Sequence, residues 1–191
     1  NVIFCIADGV PPFFGTRMTG LFNEKEKKEY DESRLRCLQE MRPKLVMVAC
    51  RWNGYENLSV HLQAFVEKII AANPKCQICL FEQPPLAAIG DVNALQFAAW
   101  KKAKGAPFEE MPRTEEISRS ASNNQLHEFI GGLSNTHLIS ISDIYEKPNN
   151  RVRFCDENKL LYIDDDHLSS YGSSLAGDRV RQAIAKTIAI R

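Results

Sequence analysis

The fold is decided by residues 44–83, which read KLVMVACRWNGYENLSVHLQAFVEKIIAANPKCQICLFEQ. The opening KLVMVAC is a near-continuous apolar run and predicts a strand buried on both faces. The closing CQICLFEQ predicts a second strand of the same kind. Between them, an amphipathic helix is predicted by four apolar residues on one helical stripe, Leu58, Leu62, Phe65 and Ile69. A strand, a helix and a strand in this order are typical of a parallel sheet covered by helices.

Two elements are predicted before this segment. NVIFCIA at 1–7 is a short β-prone run, and the turn DGVPP stops it. DESRLRCLQEM at 31–41 has the apolar spacing of a helix, with Asp31 as its N-cap and Pro43 at its end.

After the segment, residues 86–113 are irregular except for a short helix around 95–102. The elements that follow are a helix, a strand and a final helix, at 115–133, 137–142 and 169–190. This alternation predicts an α/β fold, a three-layer α/β/α sandwich with a mainly parallel sheet. Ligands of such sheets bind beyond the carboxyl ends of the strands, where the polar loops DGVPP, RWNGY, EQPP and DDDH are expected to converge.

Length and composition narrow the function classes. The 191 residues fit a single domain, 1–191. Lys plus Arg and Asp plus Glu number 24 each, so no charge bias indicates nucleic acid as a partner. No apolar stretch approaches the ~20 residues of a membrane-spanning helix, and no signal peptide is visible.

The six cysteines do not define a disulfide scaffold. Cys76 and Cys79 form a CxxC, which raises a zinc or redox alternative. Residues three apart on a strand point to opposite faces, so the two thiols are not expected to hold one metal ion.

The candidate catalytic segment is LYIDDDHLSSYG at 161–172. A histidine acts as a general base when a second group orients its ring, and Asp164 has the spacing to reach Nδ1 of His167. One of Asp165 and Asp166 is expected to cap the next helix or to face water. The alternatives are a purely structural acidic loop and helix cap, or a site for a hard metal ion.

Several segments together resemble the SGNH domain that is fused to membrane acyltransferases of the acyltransferase-3 family. They are VMVACRWNGY, ICLFEQPP and FCDENKLLYIDDDHLSSYGSSLAG. DGVPPFFG is similar to the family's stretch after its second strand, although Val10 stands where the family usually has Cys before Pro-Pro. The resemblance extends from residue 2 to about residue 180, and its strongest part is the last block.

The resemblance implies roles for individual residues. Asp164 and His167 would be the orienting acid and the base of a Ser-His-Asp site, with no metal and no cofactor. Gly9, or else Gly15, and Asn53 would donate to the oxyanion. The substrate-binding candidates are Arg51, Trp52 and Tyr55, with a surface salt bridge as the alternative for Arg51 and core packing as the alternative for Trp52.

The family's nucleophilic serine lies in a Gly-Asp-Ser block after its first strand, and this sequence contains no Gly-Asp-Ser. Either the chain begins at the family's second strand, or the site has lost its nucleophile. The start at Asn1 rather than Met favours the first interpretation, in which the sheet lacks its central first strand. The isolated chain is then expected to be inactive and poorly stable.

The function implied by the resemblance is the transfer or removal of O-acyl groups, mostly acetyl, on cell-envelope glycans such as lipopolysaccharide or peptidoglycan. The expected partners are an acyl donor, a glycan acceptor and a fused or associated membrane acyltransferase domain. The expected location is periplasmic or extracytoplasmic, tethered to the inner membrane through an upstream transmembrane domain. The alternatives are an inactive carbohydrate-binding or partner-docking domain, and a free-standing secreted esterase.

Overall fold

The computed structural model describes residues 10–15 and 22–189. The helices of this part are α1 (Glu24–Met41), α2 (Leu58–Ala72), α3 (Ala94–Ala103), α4 (Glu116–Ile130), α5 (Ser142–Tyr145), α6 (Ser170–Leu175) and α7 (Gly177–Ala189), with a 3₁₀ turn at Trp52–Gly54. The strands are β1 (Leu45–Val48), β2 (Gln77–Phe81), β3 (Leu86–Ala87), β4 (Glu110–Thr114), β5 (Thr136–Ile139), β6 (Glu146–Lys147), β7 (Arg151–Arg153), β8 (Cys155–Asp156) and β9 (Lys159–Leu160). The strand expected at 1–7 lies outside the described residues.

A parallel sheet in the order β1-β2-β5 forms the centre of the fold. Val46 pairs with Ile78, and Ile78 pairs with Thr136. One face of this sheet packs against α1, α2 and α4, and the other face packs against α7. The predicted α/β class with a mainly parallel sheet is therefore confirmed.

The apolar stripe predicted for α2 is also confirmed, because its residues are buried in the core on the α2 face, together with Val66 of the same helix: Leu58, Leu62, Phe65 and Ile69. Burial of a side chain of this kind stabilises a fold by about 1.5–3 kcal/mol. The stripe is thus the main attachment of α2 to the sheet.

The prediction that KLVMVAC is buried on both faces is wrong. Only Val48 of β1 is fully buried, and Met47 is 49% exposed. Within the described residues, β2 is the strand that pairs with β1. An apolar run alone does not show how much of each face of a strand is covered by the rest of the fold.

The prediction that Asp31 caps a helix is wrong as well. The helix begins at Glu24, and Asn23 caps it in a capping box with Glu26. Asp31 lies in the interior of α1 and is buried, with its carboxylate 2.6 Å from Lys27 Nζ and 2.5 Å from Arg34 Nη2.

This ionic cluster attaches the loop at 10–15 to α1. Lys27 Nζ donates to the Phe13 carbonyl at 2.9 Å, and Arg34 donates to the Pro12 carbonyl at 2.8 Å. Phe13 is thereby held in the core, where its ring lies 6.2 Å from that of Trp52.

The end of the chain contains two helices where the sequence predicted one. Ser169 caps α6 by accepting from the Gly172 N–H at 2.9 Å, so neither Asp165 nor Asp166 is the cap. A break at Ala176 then separates α6 from α7. The region 86–113, predicted as irregular with one short helix, contains that helix and also β3 and β4, which belong to an antiparallel sheet in the order β3-β4-β7-β6.

The CxxC is divided between the two faces of the sheet. Cys76 packs in the core on the α2 face, and Cys79 packs in the core on the α7 face. Both thiols are free and buried, and burial raises their pKa, to about 11 for Cys76. The placement agrees with the expectation that the two thiols do not share a metal ion.

Gly172 is a position where the fold does not tolerate a side chain. A Cβ atom at this residue would lie 2.0 Å from the backbone oxygen of Leu161, and the Gly172 carbonyl accepts from the hydroxyl of the buried Tyr145. We expect Gly172→Ala to lower the free energy of unfolding by about 3 kcal/mol, near the upper end for overpacking. Gly132→Ala is the matched control, because its Cβ would meet nothing within 4 Å. Urea denaturation of both variants tests this, and equal stabilities would contradict it.

Candidate active site

His167 is held by the loop that precedes α6. The Asp164 carboxylate accepts from the backbone N–H groups of Asp166 and His167, at 3.1 and 2.7 Å. This turn brings Asp164 Oδ2 within 2.9 Å of the His167 Nδ1 atom. The contact expected from the spacing of three residues is present, and the histidine side chain remains 66% exposed to solvent.

Asp166 is a second acid at the same imidazole. Its Oδ1 lies 2.8 Å from His167 Nδ1, and its Oδ2 accepts from Arg51 Nη1 at 3.1 Å. Asp166 thus contacts the imidazole and Arg51 and does not cap a helix. Arg51 joins the loop after β1 to the histidine loop, although the two residues are far apart in the sequence.

Arg51 and Asn53 both donate hydrogen bonds to a second carboxylate, that of Glu115. Glu115, at the start of α4, accepts with its Oε2 from Arg51 Nη2 at 2.6 Å and from Asn53 Nδ2 at 2.6 Å. The salt-bridge alternative for Arg51 is thus present in the structure. Asn53 is fixed further by Gln83, whose Nε2 donates to Asn53 Oδ1 at 3.1 Å.

The loops that follow β1 and β2 therefore meet the histidine loop at the carboxyl edge of the sheet. Gln83 belongs to the EQPP loop, so its position after a strand was the signal that could have identified it. No signal in the sequence pointed to Glu115, because its partners lie more than 60 positions away.

The surroundings of the acids in this site shift their pKa values in different directions. Burial works to raise the pKa of Asp164, but the two backbone N–H donors and the imidazole outweigh it and leave that pKa below its usual value. Burial raises the pKa of Asp166, in spite of the charges of His167 and Arg51. Arg51 and Asn53 hold the pKa of Glu115 below its usual value. Asp164 is accordingly the acid that most readily remains ionised beside the histidine.

Trp52 and Tyr55 do not lie in the open site. Trp52 is completely buried, and its indole N–H donates to the Phe81 carbonyl at 2.7 Å. Its placement matches the core-packing alternative and leaves no ring face for a sugar. Tyr55 is half-buried with its ring 5.1 Å from that of Phe13, and burial raises the pKa of its hydroxyl to about 12.

Of the two glycines considered for the oxyanion, Gly9 lies outside the described residues. The Gly15 N–H donates to Asp31 Oδ2 at 2.9 Å. This amide is engaged in attaching its loop to α1, so it is not placed to act on a substrate oxygen.

In the part of the chain that the structure describes, one group of three His, Cys, Asp or Glu residues could hold a metal ion. One donor atom from each of Asp164, Asp166 and His167 lies within 4.8 Å of the others. Carboxylate and imidazole donors suit a divalent cation. The contacts that these three residues make with one another and with Arg51 are sufficient to explain why the same atoms lie close together.

With this geometry established, the comparisons with known proteins identify the family. The sequence profile of the family described as "SGNH domain (fused to AT3 domains)" matches residues 1–182. The chain belongs to this family. Among curated protein sequences, no significant match to this SGNH domain was found.

Solved structures resemble the SGNH domain at low sequence identity. The periplasmic domain of the Salmonella ser. Paratyphi A lipopolysaccharide acetyltransferase superposes with a TM-score of 0.70 at 16% identity. The match covers 92% of this chain and 69% of that one, and it supports the fold. A putative platelet activating factor from Streptococcus pneumonia gives a TM-score of 0.47 at 11% identity, covering 78% of this chain and 67% of that one. None of the helices in the described residues is both long and apolar enough to cross a bilayer.

Proposed function

We propose that this SGNH domain takes part in the transfer of acyl groups, with acetyl as the main candidate, to a glycan of the cell envelope. The observation that carries the proposal is the pairing of Asp164 with His167 Nδ1 at 2.9 Å, on the edge of the sheet where Arg51 and Asn53 also lie. Membership of a family fused to AT3 domains supports acyl chemistry as the reaction class. The fold shared with a lipopolysaccharide acetyltransferase domain supports a glycan as the acceptor.

In the proposed mechanism a serine hydroxyl attacks the carbonyl carbon of an acyl ester. His167 takes the hydroxyl proton, while Asp164 holds the ring in the correct tautomer and stabilises the imidazolium. The leaving group receives the proton, and the acyl-serine then passes its acyl group to a glycan hydroxyl through the same base. Because this sequence contains no Gly-Asp-Ser, we propose that the nucleophile comes from a segment outside these 191 residues.

The proposed setting follows from the same family. A fused or associated AT3 membrane domain would supply the acyl group, and the SGNH domain would act on the extracytoplasmic side. Asn53 is retained as the candidate oxyanion donor, although both its amide hydrogens are directed at present to α4, towards Glu115 and Ser118. The site as proposed requires no metal ion and no organic cofactor.

The test is to delete the gene in its own host and to measure ester-linked acyl groups on lipopolysaccharide and peptidoglycan by mass spectrometry. We expect the acetyl content of one glycan to fall and to recover with a plasmid copy. An increase would contradict transfer and indicate an esterase. An unchanged content of both glycans would contradict the proposal and favour an inactive docking domain, the alternative raised by the absent Gly-Asp-Ser.

A further inference from the structure

We propose that Arg51 and Asn53 form a binding position for a ligand carboxylate, and that Glu115 occupies this position with its own carboxylate in the free protein. A single oxygen, Glu115 Oε2, accepts from Arg51 Nη2 and from Asn53 Nδ2, both at 2.6 Å. A guanidinium and an amide that converge on one oxygen are a suitable donor set for an anionic oxygen.

The two donors are anchored independently of Glu115. Arg51 keeps a contact of 3.1 Å with Asp166 and donates through Nε to Asn53 Oδ1 at 3.2 Å. The Asn53 backbone N–H donates to Gln83 Oε1 at 3.2 Å, and the Gln83 amide returns a hydrogen bond to the Asn53 side chain. The binding position therefore persists when Glu115 moves away.

The side chain of Glu115 is weakly attached, whereas its backbone carbonyl accepts from Ser118 Oγ and from the Arg119 N–H. Its side chain is 45% exposed, and an ion pair of this exposure contributes little. Its backbone has a φ of 50°, in the left-handed region that favours glycine, and its side chain makes no cap hydrogen bond to α4. A residue held in this way can yield its place to a ligand oxygen.

The ligand class is a carboxylate that reaches the site beside His167. Arg51 contacts Asp166, which contacts the imidazole, so a ligand at this position is connected to the candidate base through these two side chains. Such a carboxylate has two sources, a short acyl acid or an acidic sugar of a glycan. The inference rests on the proposed function for the identity of the ligand, but binding requires neither a nucleophile nor turnover.

The test compares Glu115→Gln with Glu128→Gln, which removes the same charge from the exposed side of the same helix. Sodium acetate and sodium glucuronate are titrated separately at constant ionic strength, and the side-chain NMR signals of Arg51 and Asn53 are followed. We expect Glu115→Gln to lower the Kd of at least one probe about five-fold, the upper range for an exposed ion pair. Glu128→Gln should leave the Kd unchanged, and Arg51→Ala should abolish binding in the Glu115→Gln background.

Whether the Kd of a probe falls or rises in Glu115→Gln decides between two roles of Glu115. If Glu115 competes with the ligand, its replacement tightens binding, and the probe that responds identifies an acyl acid or an acidic sugar as the source. If Glu115 organises Arg51 and Asn53, its replacement weakens binding or leaves it unchanged for both probes, and the proposal is overturned. Binding that survives Arg51→Ala would overturn it too. Because no acyl transfer is measured, this result is independent of the outcome for envelope glycans.

Discussion

Replacement of His167 by alanine is expected to lower acyl transfer by about a thousand-fold or more, since the proposed hydroxyl nucleophile then loses the base that takes its proton. The measurement is the rate at which labelled acetyl groups enter the envelope glycan, in cells that express the complete gene with the single substitution. Equal amounts of the variant and wild-type proteins are confirmed by quantitative immunoblotting.

His137→Ala is the matched control for this variant. His137 lies near the amino end of β5, at the opposite end of the strands, where its Nε2 contacts Gln77 Oε1 at 2.8 Å. We expect this variant to retain the normal rate. A normal rate in His167→Ala, or equal losses in the two variants, would refute the role of His167.

The same assay separates the two acids at His167. Asp164→Asn removes the acid whose pKa is lowered, but Asp166 Oδ1 remains 2.8 Å from Nδ1. The loss is therefore expected to be smaller than for His167→Ala, and to increase when Asp166→Asn is added, because both carboxylates that the described residues place at Nδ1 are then removed.

Asp31→Ala is expected to lower the free energy of unfolding by about 3–5 kcal/mol, the range for removing one partner of a buried ion pair. The reason is that Lys27 and Arg34 would remain buried with their charges uncompensated, since their side chains are 3% and 10% exposed. The Gly15 N–H would lose its acceptor as well. Urea denaturation at neutral pH measures the difference.

Glu29→Ala is the control on the same helix. Glu29 faces Lys25 with the same spacing of four residues, but both side chains are exposed and 3.8 Å apart. Its removal is expected to change the free energy of unfolding by no more than about 0.5 kcal/mol. Similar effects of the two substitutions would show that burial of the Asp31 cluster has no consequence for stability.

The effect of Asp31 also depends on pH. Burial works to raise its pKa, but Lys27, Gly15 and Arg34 outweigh it and leave the pKa below the usual value. The pKa of Lys27 is lowered by burial. We assign Lys27 and Asp31 as ionised at neutral pH, because the Asp31 carboxylate accepts hydrogen bonds from three donors at once. A carboxyl with a lowered folded pKa stabilises the fold above its unfolded pKa of about 3.9, and this contribution is lost as the pH falls through the folded value. The difference between wild type and Asp31→Ala should therefore shrink below about pH 4.

The parts of the fold that could be predicted from the sequence are those with a long periodic signal. The apolar stripe of α2 and the continuous apolar runs of β1 and β2 extend over enough residues to be recognised, and each element lies where it was expected. Strands of two residues, such as β3 and β6, have no period to detect, and tertiary pairing alone creates them.

The candidate site likewise has contacts that the sequence could predict and contacts that it could not. The contact of Asp164 with His167 is local, and the spacing of three residues was sufficient to predict it. The contact of Arg51 with Asp166 joins residues 115 positions apart, so only the folded chain reveals it. Asp31 was predicted to be a helix cap, because an aspartate beside an apolar stripe gives the same sequence pattern whether it caps the helix or forms a buried ion pair. Burial separates the two cases, and one sequence does not show burial.

The division of the CxxC between two cores has a consequence for redox chemistry. The thiolate is the form that attacks a disulfide or an oxidant, and burial raises the pKa of Cys50, Cys76, Cys79 and Cys155. These sulfurs stay protonated at neutral pH, and the sheet keeps the vicinal pair from closing into a disulfide. Thiols with a raised pKa react slowly with oxidants, so these four cysteines can remain reduced without being protected by cross-links.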